Sequence, residues 1–322
     1  MSTALAKVSA AQLPAEMAEM VERAAGYADQ ARAPNTLRAY AADWRCFGGW
    51  CADRQLEALP ASPSTVGVYL ADLAQRARVS TLGRRLVAIA AMHRRSGHEL
   101  DTRHPAIRDT LKGIRRVNGA AQVGKAPALI ADVRKMVETL GEGPKAVRDR
   151  AMLLVGFAGA FRRSELVGLD LADLDFARDG LKITLRRSKT DQDGQGRLVG
   201  LPYGSNPETC PVRTLKTWIE VAGIVEGPVF RPVSKKGIVG AGRLTDRVVA
   251  LVVKATAEAA GLDPAKYAGH SLRAGLATSA AAAGASERSI MAQTGHKSVV
   301  MARRYIRSGE VFRENAAATV GL

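Results

Sequence analysis

Six polar residues in the second half of the chain have side chains that could act together on a phosphodiester. They are two arginines, a lysine, two histidines and a tyrosine: Arg162, Lys189, His270, Arg273, His296 and Tyr305. Guanidinium groups donate paired hydrogen bonds to phosphate and stay charged near neutral pH, and an activated phenol is a nucleophile. The set contains no carboxylate cluster of the kind that binds metals. It therefore predicts attack on a phosphodiester by tyrosine, with neither a metal nor another cofactor.

The sequence around the first arginine resembles a motif of the tyrosine recombinase (phage integrase) family. The run Gly-Ala-Phe-Arg-Arg-Ser-Glu-Leu at 159–166 is similar to the family's first-arginine motif, with Arg162 as the catalytic arginine and Glu165 as its acidic neighbour. Because Arg162 follows a strongly apolar helix, we expect an acid or a phosphate to meet its charge.

Two further motifs strengthen the resemblance. His270-Ser271-Leu272-Arg273 is similar to the H-x-x-R box of the family, and Gly295-His296, followed nine positions later by Tyr305, resembles its closing signature. Each motif alone is weak, but their order and spacing agree over roughly residues 130–310. The resemblance also implies that Lys189, on a hairpin between the motifs, is the catalytic lysine in preference to the mid-strand Lys182.

The residue types suggest a role for each of the six residues in the reaction. A phenol is mostly protonated at neutral pH, so Tyr305 needs a base, for which His270 is the candidate, with His296 as a further hydrogen-bonding partner. Arg162 and Arg273 would stabilise the charge that develops on the phosphate. The resemblance implies a 3′-phosphotyrosyl link with a free 5′-hydroxyl, and Lys189 would protonate the leaving 5′-oxygen.

The elements that position these residues are predicted to be mainly α-helical, with a small antiparallel β-sheet. Three short strands, near 173–176, 181–185 and 197–201, lie among helices that include 130–140, 147–159, 211–222 and 245–260. Ser286 is a candidate cap for a helix that ends near Gly295. The fold class is therefore α+β, and the resemblance implies an all-helical N-terminal core-binding domain followed by an integrase-type DNA breaking-rejoining catalytic domain.

Composition divides the chain into domains. We predict an N-terminal arm at 1–34, a small basic helical domain at 35–118, a linker at 119–127 and a further domain at 128–322, whose tail helix covers about 309–322. The resemblance implies that the helical domain is the family's core-binding (SAM-like) DNA-binding domain and that residues 128–322 form its catalytic domain. The linker carries small residues, two glycines and a proline without an apolar period. By family analogy, the tail helix would dock on a neighbouring protomer.

Helical periodicity predicts the interior of the N-terminal domain. Asn35 is a candidate helix cap, and an apolar stripe is expected to face the core: Leu37, Tyr40, Trp44, Phe47 and Trp50. A later helix begins near Ser80 and ends at Gly97, with Leu82, Leu86 and Ile89 directed inward. Four of its arginines are expected outside, as candidate DNA contacts: Arg84, Arg85, Arg94 and Arg95.

The charge of the chain indicates a polyanionic partner. Among 322 residues, the formal net charge is +16, and the excess of lysine and arginine runs through both halves. Such a field attracts nucleic acid, with ribosomal or membrane-surface binding as the alternatives. No apolar run approaches the length of a membrane span, and Cys46, Cys51 and Cys210 lack the spacing of a zinc site. We expect no membrane partner, and a cytoplasmic protein encoded by a bacterium or phage and associated with the nucleoid.

Three functions remain open at this point. The first is a site-specific recombinase that assembles as a homotetramer on two double-stranded DNA sites, a monomer or dimer on each, and exchanges strands through a Holliday junction without ATP. The second is a topoisomerase-IB-like enzyme or hairpin-forming resolvase with the same chemistry. The third is a non-catalytic DNA-binding relative. The sequence leaves open the target site, the biological role, the need for accessory proteins, the role of residues 1–34 and whether Tyr305 acts in cis or in trans.

Overall fold

The computed structural model describes residues 15–30, 33–119, 124–186 and 196–310. These residues are mainly helical with one three-stranded antiparallel sheet, which confirms the predicted fold class. The chain divides into two compact units, Met1–Val123 and Gly124–Leu322. The division falls inside the segment predicted as a linker.

The first unit contains five helices within its described residues. They are α1 (Ala15–Gln30), α2 (Pro34–Ala52), α3 (Pro63–Leu73), α4 (Val79–Arg95) and α5 (Pro105–Asn118). Proline opens α2, α3 and α5, where its missing N–H costs no helical hydrogen bond. Ser62 caps α3 by accepting from the Thr65 N–H at 3.0 Å. The prediction that Asn35 caps α2 is wrong, because the helix begins one residue earlier, at Pro34.

The aromatic residues of α2 form much of this unit's core. Phe47 and Trp50 are buried, and both rings pack edge-on against Tyr69 of α3, with centroids 5.0 and 5.3 Å from it. Trp44 is half-buried against the same cluster. Leu37 is 39% exposed, so the predicted stripe reaches the core only in its second half.

Two of the four arginines expected to point outward from α4 pair with α2 instead. The buried carboxylate of Asp43 contacts Arg84 Nη1 at 2.5 Å and Arg85 Nε at 3.6 Å. Arg85 also donates to the Tyr69 hydroxyl, and its side chain is only 18% exposed. Arg94 and Arg95 are exposed at the end of α4. The outward prediction is therefore wrong for Arg85 and holds for the last two arginines.

The second unit contains eight helices and three strands within its described residues. The helices are α6 (Ile130–Glu138), α7 (Pro144–Ala158), α8 (Arg163–Gly168), α9 (Pro211–Val221), α10 (Asp246–Ala259), α11 (His270–Ala282), α12 (Glu287–Thr294) and α13 (Val299–Glu310). The strands are β1 (Leu174–Ala177), β2 (Gly180–Leu185) and β3 (Arg197–Pro202). Helix α7 is nearly all buried, and the core around it includes Trp218, whose indole N–H donates to the Val229 carbonyl at 2.8 Å.

The sheet has the strand order β1-β2-β3, with both pairs antiparallel. Leu181, Ile183 and Leu185 are buried, whereas Lys182 and Thr184 between them face solvent. The register pairs Leu185 with Arg197. Lys189 lies between these strands, in the segment 187–195, which is outside the described residues.

A short strap, residues 126–130, lies along α11 at the start of the second unit. Ala126 N–H donates to the Lys266 carbonyl at 2.8 Å, and Ala128 N–H donates to the Ser271 carbonyl at 2.9 Å. A Cβ added to Gly275 would lie 1.7 Å from the Ala128 carbonyl oxygen. Glycine at 275 therefore allows the two backbones to touch, and this contact fixes α11 against the strap.

Helix α13 packs on α11 and α12 through small residues. The buried members of this cluster are Ala277, Ala281, Ile290, Ala302 and Ile306. Small side chains allow close approach of the helices, and Tyr305 lies partly buried at the edge of the cluster. The cluster therefore sets the position of the tyrosine. The predicted tail helix at about 309–322 lies almost entirely outside the described residues, which end at Glu310.

Candidate active site

A tight turn after α7 positions Arg162 in the site. Ala160 has φ +48°, a left-handed conformation that non-glycine residues rarely adopt. The turn is held by the Ala160 N–H, which donates to the Phe157 carbonyl at 2.9 Å, and by the full burial of Phe161 beside it. Arg162 then occupies the extended cap position at the start of α8.

Glu165 forms an ion pair with Arg162. Its Oε2 accepts from the Arg162 backbone N–H at 2.9 Å, and its Oε1 accepts from the Arg162 guanidinium. The Glu165 side chain is 2% exposed, and that of Arg162 is 19% exposed. A partly buried cation is costly without an anionic partner, and the geometry agrees with the expectation that an acid lies beside Arg162.

Arg273 of α11 is the most buried cation of the site. It is 1% exposed, and its Nη1 donates to the Ala160 carbonyl at 2.7 Å. Its Nη2 is buried and has no hydrogen-bond partner among the described residues. Burial, followed by the charge of Arg162, lowers the pKa of Arg273 to about 10, so the group remains charged at neutral pH. A buried donor without a partner is costly, and a phosphate oxygen would satisfy it.

Tyr305 of α13 meets His270 at the first turn of α11. The phenolic oxygen lies 2.8 Å from His270 Nε2. His270 and Arg273 are three residues apart on one helix, so they project from neighbouring points of the same face. The packing of α13 against α11 thus brings the tyrosine to both residues.

His296 stacks on the ring of Tyr305. The two rings are stacked, with centroids 5.7 Å apart and planes inclined by 22°. Burial, followed by the charges of Arg273 and Arg162, lowers the pKa of His296 to about 4. The imidazole is therefore neutral near pH 7.

The contact with Thr294 indicates the tautomer of His296. Thr294 Oγ1 donates to the Ile290 carbonyl at 2.7 Å and lies 2.8 Å from His296 Nδ1. Because the hydroxyl proton is directed to Ile290, we infer that the oxygen accepts from Nδ1–H. His296 Nε2 is then a hydrogen-bond acceptor.

Arg197 is a further cation of the site, and from the sequence it was predicted only as the first residue of a strand. Its Nη1 donates to the carbonyls of Ala292 and Gln293, at 3.1 and 2.7 Å. Burial lowers its pKa, although the negative charge of Glu165 acts in the opposite direction, and the positive charge of Arg162 lowers it further. Its carbonyl partners lie 95 and 96 positions away in the chain, so no local pattern could have identified it.

The structure thus brings together five of the six predicted catalytic residues: Arg162, His270, Arg273, His296 and Tyr305. The sixth, Lys189, lies outside the described residues. Lys182, the rejected alternative, faces solvent on β2 and pairs with Asp175 at 3.5 Å. Among the described residues, no group of three or more His, Cys, Asp or Glu side chains is placed to hold a metal ion. The three cysteines are free thiols, and no described helix is long and apolar enough to cross a membrane.

Comparison with known proteins gives consistent matches. The model of the phage integrase family matches residues 130–310. An integrase/recombinase xerD homolog of Selenomonas ruminantium is 42% identical over 292 residues, which cover 89% of this chain and 86% of the relative. The recombinase cre of Escherichia phage P1 is 26% identical over 300 residues, covering 87% and 85%. In fold, the XerH site-specific recombinase bound to palindromic difH substrate, in its post-cleavage complex, is similar with a TM-score of 0.60 at 18% identity, covering 81% of this chain and 73% of that one.

Proposed function

Because the chain belongs to the phage integrase family and is a tyrosine recombinase, an enzyme that breaks and rejoins DNA, we propose that Tyr305 performs the breaking step. Its phenolic oxygen attacks a backbone phosphorus of duplex DNA. The new O–P bond replaces the bond to the 5′-oxygen, which leaves as a hydroxyl. The product is a 3′-phosphotyrosyl link, and attack by a 5′-hydroxyl on that link reverses the reaction.

One observation carries this proposal: the Tyr305 hydroxyl lies 2.8 Å from His270 Nε2, on the α11 face that also holds Arg273. At this distance His270 accepts the phenolic proton as attack begins. Neutral His296, stacked on the ring, limits the movement of the nucleophile. Rejoining reverses these proton transfers.

The arginines stabilise the transition state. Attack places additional negative charge on the nonbridging oxygens of the phosphate, and fixed donors stabilise that charge most effectively where water is excluded. Arg273 has a buried Nη2 without a partner among the described residues, and Arg162 is held beside it by Glu165. Because Lys189 resembles the family's catalytic lysine, we assign it the protonation of the leaving 5′-oxygen.

The partner is double-stranded DNA that carries specific recombination sites. The net charge of +16 supports binding to a polyanion, and a protein of similar fold is bound to its DNA substrate. We assign duplex contact to both the helical domain at 35–118 and the catalytic domain at 128–322, with 119–127 as the linker. We assign the protein to the cytoplasm, where nucleoid and mobile-element DNA would be its substrates.

Exchange between sites requires more than one protomer. Four protomers on two sites would cut and rejoin strands in pairs through a Holliday junction, with the tail at about 309–322 docked on a neighbour. The phosphotyrosyl ester conserves the energy of the broken bond, so the cycle needs no ATP.

The nucleophile is tested with a nicked suicide duplex, which loses a short fragment on cleavage and traps the covalent adduct. We expect the wild-type protein to form the adduct and Tyr305→Phe to form none. Tyr267→Phe is the matched control, because Tyr267 is a buried tyrosine whose hydroxyl lies 3.5 Å from Asp132, and it should retain the adduct. Adduct formation by Tyr305→Phe would show that another residue attacks.

The exchange step needs a separate measurement. Incubation with two duplexes that carry the same site should give recombinant products that depend on Tyr305. Relaxation of supercoiled plasmid by a monomer, without recombinants, would instead assign the chain to the topoisomerase-like alternative.

A further inference from the structure

The guanidinium of Arg197 lies half-buried between the start of β3 and the end of α12, with Nη2 fully buried. Its Nη1 donates to the carbonyls of Ala292 and Gln293, which belong to the last turn of α12. Carbonyls at a helix C-terminus lack partners within their own helix and carry partial negative charge. A single cation from another element therefore satisfies two of them.

Arg197 has no carboxylate of its own among the described residues. Its Nη2 is buried without a hydrogen-bond partner there. The charge of Arg162 lowers the pKa of Arg197, and the charge of Arg197 lowers the pKa of Arg273. A third guanidinium beside two others raises the repulsion within the site. Two hydrogen bonds to the end of α12 offset part of that repulsion.

The contact continues into the residue that precedes His296. Gly295 has φ +66°, and a Cβ added there would lie 2.9 Å from both Cζ and Nε of Arg197. The guanidinium thus covers the turn that ends α12. The next residue, His296, is stacked on the nucleophile.

We propose that Arg197 is a positioning residue, which fixes the end of α12 and thereby holds His296 against Tyr305. The inference rests on the proposed function, since it assigns Arg197 a part in the same cleavage step. Arg197 acts through His296 and does not itself contact the scissile phosphate. Displacement of a catalytic group by about 1 Å can slow a reaction about 10²-fold.

The test compares cleavage rates on the nicked suicide duplex for four variants: Arg197→Ala, Arg197→Lys, His296→Ala and the double variant Arg197→Ala with His296→Ala. We expect Arg197→Ala to cleave about 10- to 100-fold more slowly than wild type. Arg197→Lys, which keeps a charged donor, should recover most of the rate. The double variant should be no slower than His296→Ala alone, because residues that act through one group are not additive.

Two controls separate this role from a general loss of structure. Arg178→Ala removes an exposed arginine from the β1–β2 turn of the same sheet and should cleave at the wild-type rate. Duplex affinity and melting temperature are measured for every variant. If Arg197→Ala is unfolded, Arg197→Gln, a neutral donor of similar length, replaces it in the same comparison.

Three results would overturn the proposal. They are a wild-type rate for Arg197→Ala, no recovery with Arg197→Lys, and multiplied losses in the double variant, which would mean that Arg197 acts on the phosphate independently. Failure of the proposed function is distinguishable, because it would abolish the wild-type adduct or leave an adduct in Tyr305→Phe.

Discussion

At the scale of single residues, the site combines charged cations with a neutral histidine. Burial lowers the pKa of His296 most, and the charges of Arg273, Arg162 and Arg197 lower it further. A protonated imidazole beside these guanidinium groups would add repulsion. Its neutral form keeps Nε2 as an acceptor, and in the proposed function only Arg162 and Arg273 contact the phosphate.

This arrangement predicts a dependence of stability on pH. The pKa of His296 is about 4 in the folded protein and near the ordinary 6.5 in the unfolded chain. Above pH 6.5 the imidazole is neutral in both states, so it adds no pH dependence. As the pH falls from 6.5 to 4, the unfolded chain takes up a proton that the folded protein excludes, and the free energy of unfolding decreases by at most about 3 kcal/mol.

Urea unfolding of wild type and His296→Gln checks this prediction, because glutamine does not titrate. We expect the wild-type protein to lose more stability than the variant between pH 7 and pH 4.5, with the difference approaching about 2 kcal/mol. Equal losses would mean that His296 titrates near its ordinary pKa.

Residue types predicted the site better than they predicted backbone conformation. Arg162, His270, Arg273 and Tyr305 were identifiable because their types and spacing form motifs in the printed sequence. The left-handed Ala160 was not, since alanine carries none of the signal that glycine gives for positive φ. The Arg273 side chain donates to the carbonyl of this residue, so a backbone conformation that the residue types of the motif did not predict shapes the site.

At the scale of elements, helices α2 and α4 are joined by a buried ion pair. Asp43 is 3% exposed and contacts both Arg84 and Arg85. The pairing was missed because it spans 41 positions of the sequence for Arg84, whereas helical periodicity reports only on neighbouring turns.

Removal of Asp43 should therefore destabilise the first unit. Asp43→Ala leaves Arg85 with most of its side chain buried and without its carboxylate, a change that costs about 3 kcal/mol in comparable cases. Arg84→Ala should cost less, about 1 kcal/mol or below, because the Arg84 side chain is 44% exposed.

Thermal unfolding of the full chain measures both changes. Asp53→Ala removes an exposed aspartate just beyond the end of α2 and serves as the control, with little expected change in melting temperature. A melting temperature for Asp43→Ala equal to that of the control would show that the pair contributes nothing net.

At the scale of the whole molecule, the charge of +16 should dominate the affinity for DNA. Each neutralised phosphate releases counterions, so affinity falls with salt concentration. If six or more phosphates are contacted, we expect affinity to fall by about 10³ or more between about 50 and 200 mM salt.

Titrations of duplex affinity against salt test this expectation and the contribution of the exposed arginines. Arg94→Ala or Arg95→Ala should each reduce the slope of log affinity against log salt by about one if the side chain contacts a phosphate. Arg108→Ala is the control, because Arg108 is exposed on α5 but paired with Asp109 at 2.8 Å. A nearly flat titration of the wild-type protein would contradict extensive phosphate contact.

The contact between the strap and α11 determines where a chimaera of this recombinase with a relative can have its junction. A chimaera that exchanges the helical domain to change target preference needs its junction at or before Gly124. That graft keeps the native Ala126 and Ala128 against Gly275. A junction at Ile130 would import a foreign backbone beside the helix of His270 and Arg273, and would alter catalysis in an exchange intended to alter only recognition.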